Sequence, residues 1–159
     1  MQRLLEISVE RWPIAGRFAI ARGAKTEAVV VLATVREGEA AGRGESVPYG
    51  RYGETVESVV GAIEAMEERI RGGIDRRMLR AAMPAGAARN AIDCALWDLE
   101  AKRTGRSAAD IAGIPALRPV ETAYTLSLGT PESMAAAATT AADRPILKVK
   151  LGGPGGARG

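Results

Sequence analysis

The chain has 159 residues, enough for one domain or for one domain and part of another. Hydrophobic residues make up 47% of it, which excludes wholesale disorder, and aromatics only 4%, so a core must rest on Ala, Val, Ile and Leu. The net charge of +3 arises from 22 Lys and Arg against 19 Asp and Glu, interspersed without a basic run, which argues against nucleic-acid binding.

Leu5, Ile7 and Val9 alternate with Glu6, Ser8 and Glu10, which predicts a half-buried strand over 4–10. Pro13, Gly16 and Gly23 then predict a short second strand at 17–21 and a loop around Arg22–Lys25. EAVVVLATVR, at 27–36, is β-branched and apolar and reads as a buried strand. GEAAGRGESVPYGRYG, at 38–53, reads as a loop because of its Gly and Pro. Three strands with short connections make an antiparallel meander. Thr55 predicts a cap for one helix whose apolar stripe is Val56, Val59, Val60, Ile63, Met66 and Ile70, stopped by Gly72-Gly73. A short helix over 75–82 ends before Pro84.

Pro84 is expected to open a long helix. Its buried stripe would be Ala88, Ile92, Ala95, Leu96 and Leu99. Arg89, Asp93, Asp98, Glu100 and Lys102 would decorate the rest, with Gly105 past its end. Ser107 caps a turn through Ile111. Val120–Leu128 alternates and predicts a strand. Thr130 and Pro131 start an Ala-rich helix over 133–142, and Ile146–Leu151 predicts another strand. A β-α-β unit of this kind favours parallel pairing with a right-handed crossover. The expected domains are therefore 1–118, α+β, and 119–159, the start of an α/β array. After Leu151 comes GGPGGARG, with no helix signal and no third strand, so the expectation is that the chain is truncated. A complete (β/α)8 barrel takes about 250 residues.

No histidine is present, which removes His triads and His acid–base chemistry; proton transfer falls to Lys, Asp, Glu, Tyr or Cys. The single cysteine, Cys94, excludes an intramolecular disulfide and fits a reducing cytoplasm. Between Ile92 and Ala95, Cys94 predicts a buried, inert thiol. Asn90 and Asp93 read as helix or interdomain hydrogen-bonding groups, and Trp97 as packing. No signal peptide precedes the first strand, and no run reaches the roughly 18 apolar residues that span a bilayer. Lys148 and Lys150, two apart on a strand, share a face. Burial and mutual repulsion would favour a neutral amine able to act as a base. A water-facing edge strand would carry the same pair, and from these residues alone that reading is preferred.

The surrounding sequence adds a resemblance. PAGAARNAIDCALWDLEAKRTG (84–105), TAYTLSLGTP (122–131) and LKVKLG (147–152) resemble the long helix and first two barrel strands of one enolase-superfamily branch. That branch is the mandelate racemase/muconate lactonizing enzymes. AIARG near Arg22 and VPYGRYGE are most similar to the dipeptide epimerases of L-Ala-D/L-Glu type. The resemblance implies an α+β capping domain (antiparallel meander plus helices), followed by the first two strands of a truncated (β/α)8 barrel.

It also implies Mg2+-assisted proton abstraction next to a carboxylate. By position, Lys150 matches the family's acid/base. Lys148 matches the lysine beside the substrate carboxylate, which helps hold Lys150 near neutral. Thr125 matches a substrate contact. Arg22, in a capping loop, matches the residue that pairs with an acidic side chain of a dipeptide. Tyr49 and Tyr52 lie in a second capping loop. The family's Asp, Glu and Asp metal ligands and its opposing lysine belong to later strands. The resemblance thus implies no metal ligand in this chain and no activity from it alone, with both lysines solvated and protonated near neutral pH. The expected partner is a dipeptide, with no nucleic acid or membrane and with possible self-association. Muconate cycloisomerase, o-succinylbenzoate synthase and N-acyl amino acid racemase are the enzyme alternatives. A non-catalytic α+β association module is the alternative from another class.

Overall fold

A computed structural model describes residues 2–20 and 23–152. The chain divides into two units: Met1–Arg11 with Val29–Leu117, and Trp12–Ala28 with Arg118–Gly159. A three-stranded sheet of order β1-β2-β3 begins the chain, with β1 at Leu4–Ile20, β2 at Gly23–Glu37 and β3 at Ala40–Ser46. The expected strands at 4–10 and 17–21 form one strand as far as Ile20, and Ala21 lies outside the described residues. Pro13 lies within it, and β1 is a sheet-edge strand, the position where strands tolerate proline. The third strand, β3, occupies the stretch expected to be a loop.

Glycine in β3 serves close approach and not a turn. β2 and β3 pair antiparallel, with Val31 opposite Ser46, Ala33 opposite Gly44 and Val35 opposite Gly42. Gly42, Gly44 and Ser46 face the core. Against them lies the long helix α4, Ala87–Thr104. A Cβ at Gly42 would overlap the Ala95 carbonyl oxygen, and one at Gly44 that of Ala91. Small residues on both elements let helix and strand backbones touch, while Val31 and Val35 of β2 and Ile92 and Leu99 of α4 fill the flanking space, all fully buried.

The polar side of α4 also acts on β3. Asn90 Nδ2 donates to Glu45 O at 3.1 Å, Lys102 Nζ donates to Ala41 O at 2.8 Å, and Asp98 Oδ2 accepts from Arg43 N at 2.8 Å. Three helix side chains thus occupy backbone groups of an edge strand, which closes it to other chains. Asn90 makes the kind of bond expected of it; Asp98 and Lys102, expected as solvated decoration, do the same work.

The remaining helices complete the core of the first unit. Thr55 caps α1, Val56–Glu64, in a capping box: its Oγ1 accepts from Ser58 N at 3.1 Å and Ser58 Oγ accepts from Thr55 N at 2.9 Å. The single helix expected here breaks at Ala65-Met66, and α2 resumes at Glu67–Arg71. The stripe survives the break: Val59, Ile63, Met66 and Ile70 are all buried in one cluster. Asp75 caps α3, Arg76–Ala82. α4 starts three residues after Pro84, not at it; its first amide, Ala87 N, donates to Glu54 Oε1 at 2.6 Å. Gly105, at φ 65°, ends α4 in the left-handed conformation. Arg3 Nε (2.7 Å) and Arg103 (3.0 Å) both pair with Glu37, and Arg3 donates to Ile74 O at 2.7 Å. α5, Ala108–Ile111, follows Ser107.

In the second unit β4, Tyr124–Leu126, α6, Pro131–Thr140, and β5, Leu147–Val149, form a β-α-β unit whose strands pair in parallel, as expected. Both strands are shorter than expected. Thr130 caps α6, with Pro131 at its first position. Among the described residues no helix is long and apolar enough to cross a membrane.

Candidate active site

The β4–β5 ladder brings three of the four expected site residues together. Tyr124 stands opposite Leu147, Thr125 opposite Lys148 and Leu126 opposite Val149. Tyr124 N donates to Ile146 O at 2.9 Å, and Lys150 N donates to Leu126 O at 3.3 Å, so the ladder runs one residue past β5. Partners in a ladder share a face and neighbours along a strand alternate. Thr125, Lys148 and Lys150 therefore lie on one face. Leu126, which is buried, and Val149 lie on the other. Lys150 sits at the carboxyl end of its strand, the end at which (β/α) barrels carry their chemistry.

The two amines influence one another. The charge on Lys148 is the main cause that lowers the Lys150 pKa from its ordinary value; partial burial and a hydrogen bond with Lys148 act in the same direction. Lys148 is exposed and Lys150 half-buried. A proton is thus held less tightly at Lys150 than on a free lysine, and this face offers an amine pair beside the Thr125 hydroxyl. Such a pair can attract a carboxylate and exchange a proton with a carbon next to it.

Arg22 lies outside the described residues. Tyr49 and Tyr52 meet within the first unit, with ring centroids 5.6 Å apart. The residue that organises their turn, Glu54, was not legible in the sequence. Its carboxylate accepts from Tyr49 N at 3.0 Å and from Ala87 N, and the Ala87 bond is the larger cause that lowers its pKa. That link joins positions 33 residues apart, which no local pattern reveals. Cys94 corrects another expectation: it is exposed on α4, not buried. Partial desolvation, then the charge on Asp93, push its thiol pKa up, so the thiolate form that would react is disfavoured although the residue is exposed. Trp97 packs as expected, with the Arg76 guanidinium 3.4 Å from its ring centroid. Among the described residues no three His, Cys, Asp or Glu side chains stand together as a metal site would need.

An antiparallel sheet covered by helices, followed by a parallel strand pair with lysines at one strand's end, defines a capping domain joined to the opening of a (β/α) barrel. The sequence profile of the mandelate racemase / muconate lactonizing enzyme N-terminal domain matches residues 3–113, and the chain belongs to that family. It is 45% identical over 151 residues to the L-Ala-D/L-Glu epimerase of Escherichia coli K12, a stretch covering 94% of this chain and 47% of that protein. The chain thus spans about half the length of the curated relative it matches.

Among solved structures, an enolase family member from Agrobacterium tumefaciens with homology to dipeptide epimerases superposes with a TM-score of 0.92. It is 50% identical, with 94% of this chain and 46% of that one covered, and holds sodium and L-Ala-L-Glu. The dipeptide epimerase of Methylococcus capsulatus, complexed with Mg and L-Arg-D-Lys, superposes with a TM-score of 0.78 at 28% identity, covering 96% of this chain and 47% of that one.

Proposed function

We propose that this chain supplies half the acid–base machinery of a dipeptide epimerase of L-Ala-D/L-Glu type. The observation that carries the reading is the parallel register that sets Thr125 beside Lys148 with Lys150 one pleat further on. Lys150, its proton affinity lowered by its neighbour, takes the proton from the carbon next to the substrate carboxylate and can return it. Lys148 draws the carboxylate to this face. Thr125 holds the substrate by its hydroxyl, and Arg22 pairs with an acidic side chain of the dipeptide. Support comes from the 45% identity to the Escherichia coli epimerase and from the L-Ala-L-Glu held by the Agrobacterium relative.

Mg2+ is the cofactor of this reading, and support comes from the Methylococcus epimerase, which is complexed with Mg. The described residues lack a donor set that fits it, so no step is assigned to it here. A base for the opposite face of the carbon is likewise assigned to barrel strands beyond these two. The 159 residues by themselves are therefore expected to bind and polarise without turning over. The lone cysteine suits work in the reducing cytoplasm.

A chimera tests the reading: residues 1–152 of this chain joined to the unmatched half of the Escherichia coli epimerase. In deuterium oxide it should exchange the α-proton of L-Ala-L-Glu, and Lys150→Ala should lower that rate by about 10²–10⁴. A folded chimera whose exchange ignores Lys150→Ala would overturn the assignment. Exchange confined to N-acyl amino acids, or reaction with succinylbenzoate-type substrates, would move the substrate within the superfamily.

A further inference from the structure

The first unit carries a cleft of about 450 Å³ between α3 and α4 that has no part in the proposed reaction. Four arginines line it, Arg76, Arg77, Arg80 and Arg89, together with Asn90 and Asp93. Residues three and four apart on a helix share a side, so Arg77 and Arg76 both stand beside Arg80 along α3. Arg89 and Asp93 hold the same relation along α4.

Their partners divide them. Arg76 is committed: its guanidinium covers the Trp97 ring and pairs with Glu100 at 2.8 Å. Arg89 gives one N–H to Met83 O at 3.2 Å and keeps its other donors. Arg77 and Arg80 form no hydrogen bond or ion pair among the described residues, and neither does Asp93. With Arg76 paired to Glu100, three guanidinium groups against one carboxylate leave the cleft positive, and like charges at helical spacing repel. An anion relieves that repulsion and satisfies idle donors at once.

We propose that the α3–α4 cleft binds a small phosphorylated ligand, with its phosphate on Arg77, Arg80 and Arg89. The three guanidinium groups come from two helices, so they can reach different oxygens of one anion. That arrangement suits a tetrahedral oxyanion with several acceptor oxygens better than a flat carboxylate, which one fork saturates. A phosphate ion would fill only part of the volume. The remainder is lined by Asn90 and by Asp93, an acceptor without a donor among the described residues, so the body of the ligand carries hydroxyl groups. The ligand class is a phosphorylated polyol.

Thermal unfolding of the 159-residue chain at fixed ionic strength tests this. Inorganic phosphate should raise Tm where chloride does not, and glycerol 3-phosphate should raise it further at equal concentration. Arg77→Ala with Arg80→Ala, at two exposed and unpaired positions, should weaken both ligands at least tenfold while leaving the far-UV spectrum unchanged. Asp93→Asn should keep the response to inorganic phosphate and lose the added response to glycerol 3-phosphate. Equal shifts from chloride and phosphate, or an arginine double variant that responds like the parent, would overturn the site. Malonate acting as strongly as glycerol 3-phosphate would overturn the phosphate assignment.

Discussion

Two helix-on-strand packings in this molecule have opposite outcomes. α4 buries seven of its residues, among them Ala91, Ile92, Ala95 and Leu99, against a strand whose inward positions are Gly42, Gly44 and Ser46. α6 buries none of its own residues. Beside it, among the described residues, only Leu126 and Ala141 are buried hydrophobics, while Ile146, Val149 and Leu151 are 43%, 49% and 79% exposed. The first packing closes on itself because both backbones carry small residues at the contact and large ones at its flanks. The second is a β-α-β unit with one covered sheet face, and a parallel pair with an open face is not self-sufficient. The lysine pair lies on that second element. Stability and candidate chemistry are therefore carried by different parts of the chain.

The contrast can be broken most severely at the glycine contact. Gly44→Val inserts a side chain into the α4 backbone and should destabilise the chain by about 3 kcal/mol or more in urea unfolding. A loss under about 1 kcal/mol would mean that α4 does not rest on β3 as described. Next comes the ion cluster under the first sheet. The hydrogen bond from Arg3 is the main cause that holds the Glu37 carboxyl below its ordinary value of 4.5, and the charges of Arg3 and Arg103 add to it. A lowered folded value means stability that is present above the unfolded value and lost as pH falls through the folded one. Glu37→Gln should therefore cost about 1–2 kcal/mol at pH 7, and the deficit should shrink as the parent is acidified below pH ~4. A deficit constant from pH 7 to pH 3 would remove the ion cluster from the explanation.

Thr55→Ala takes one side of the α1 capping box away and should cost about 1 kcal/mol. Thr55→Ser should retain most of the stability, and equal losses in the two variants would show that the hydroxyl is not the cause. The smallest change is expected in the second unit. Lys148→Ala removes the charge that depresses Lys150, so the Lys150 amine should titrate closer to its ordinary 10.5, followed by NMR of the lysine side-chain signals. In the parent, a lowered folded value means that the protonated pair opposes folding. The second unit should gain stability as pH rises through that value, with the gain complete above 10.5. An unmoved Lys150 titration in Lys148→Ala would separate the two amines.

Periodicity carried much of this fold. The stripe Val59, Ile63, Met66, Ile70 and the stripe Ala88, Ile92, Ala95, Leu96, Leu99 are buried as read from spacing, and the caps at Thr55, Ser107 and Thr130 are where short-range chemistry demands them. The parallel pairing of β4 with β5 followed from recognising a β-α-β unit, while the register that sets Thr125 opposite Lys148 came from the structure. β3 was misread, because glycine signals a turn by its backbone freedom and signals close approach only once the approaching helix is known. Cys94 was misread because it stands four residues from both Asn90 and Asp98, in the polar row that borders β3 and not in the core stripe.

Local sequence therefore determined the helical stripes, the caps at Thr55, Ser107 and Thr130 and that two lysines share a strand face, since each depends on residues a few positions apart. Tertiary structure alone decided that a glycine run is a strand under α4, that Glu54 caps a helix 33 residues away and that four arginines line one cleft. Those relations join positions far apart in the chain, and only the folded backbone brings them within bonding distance.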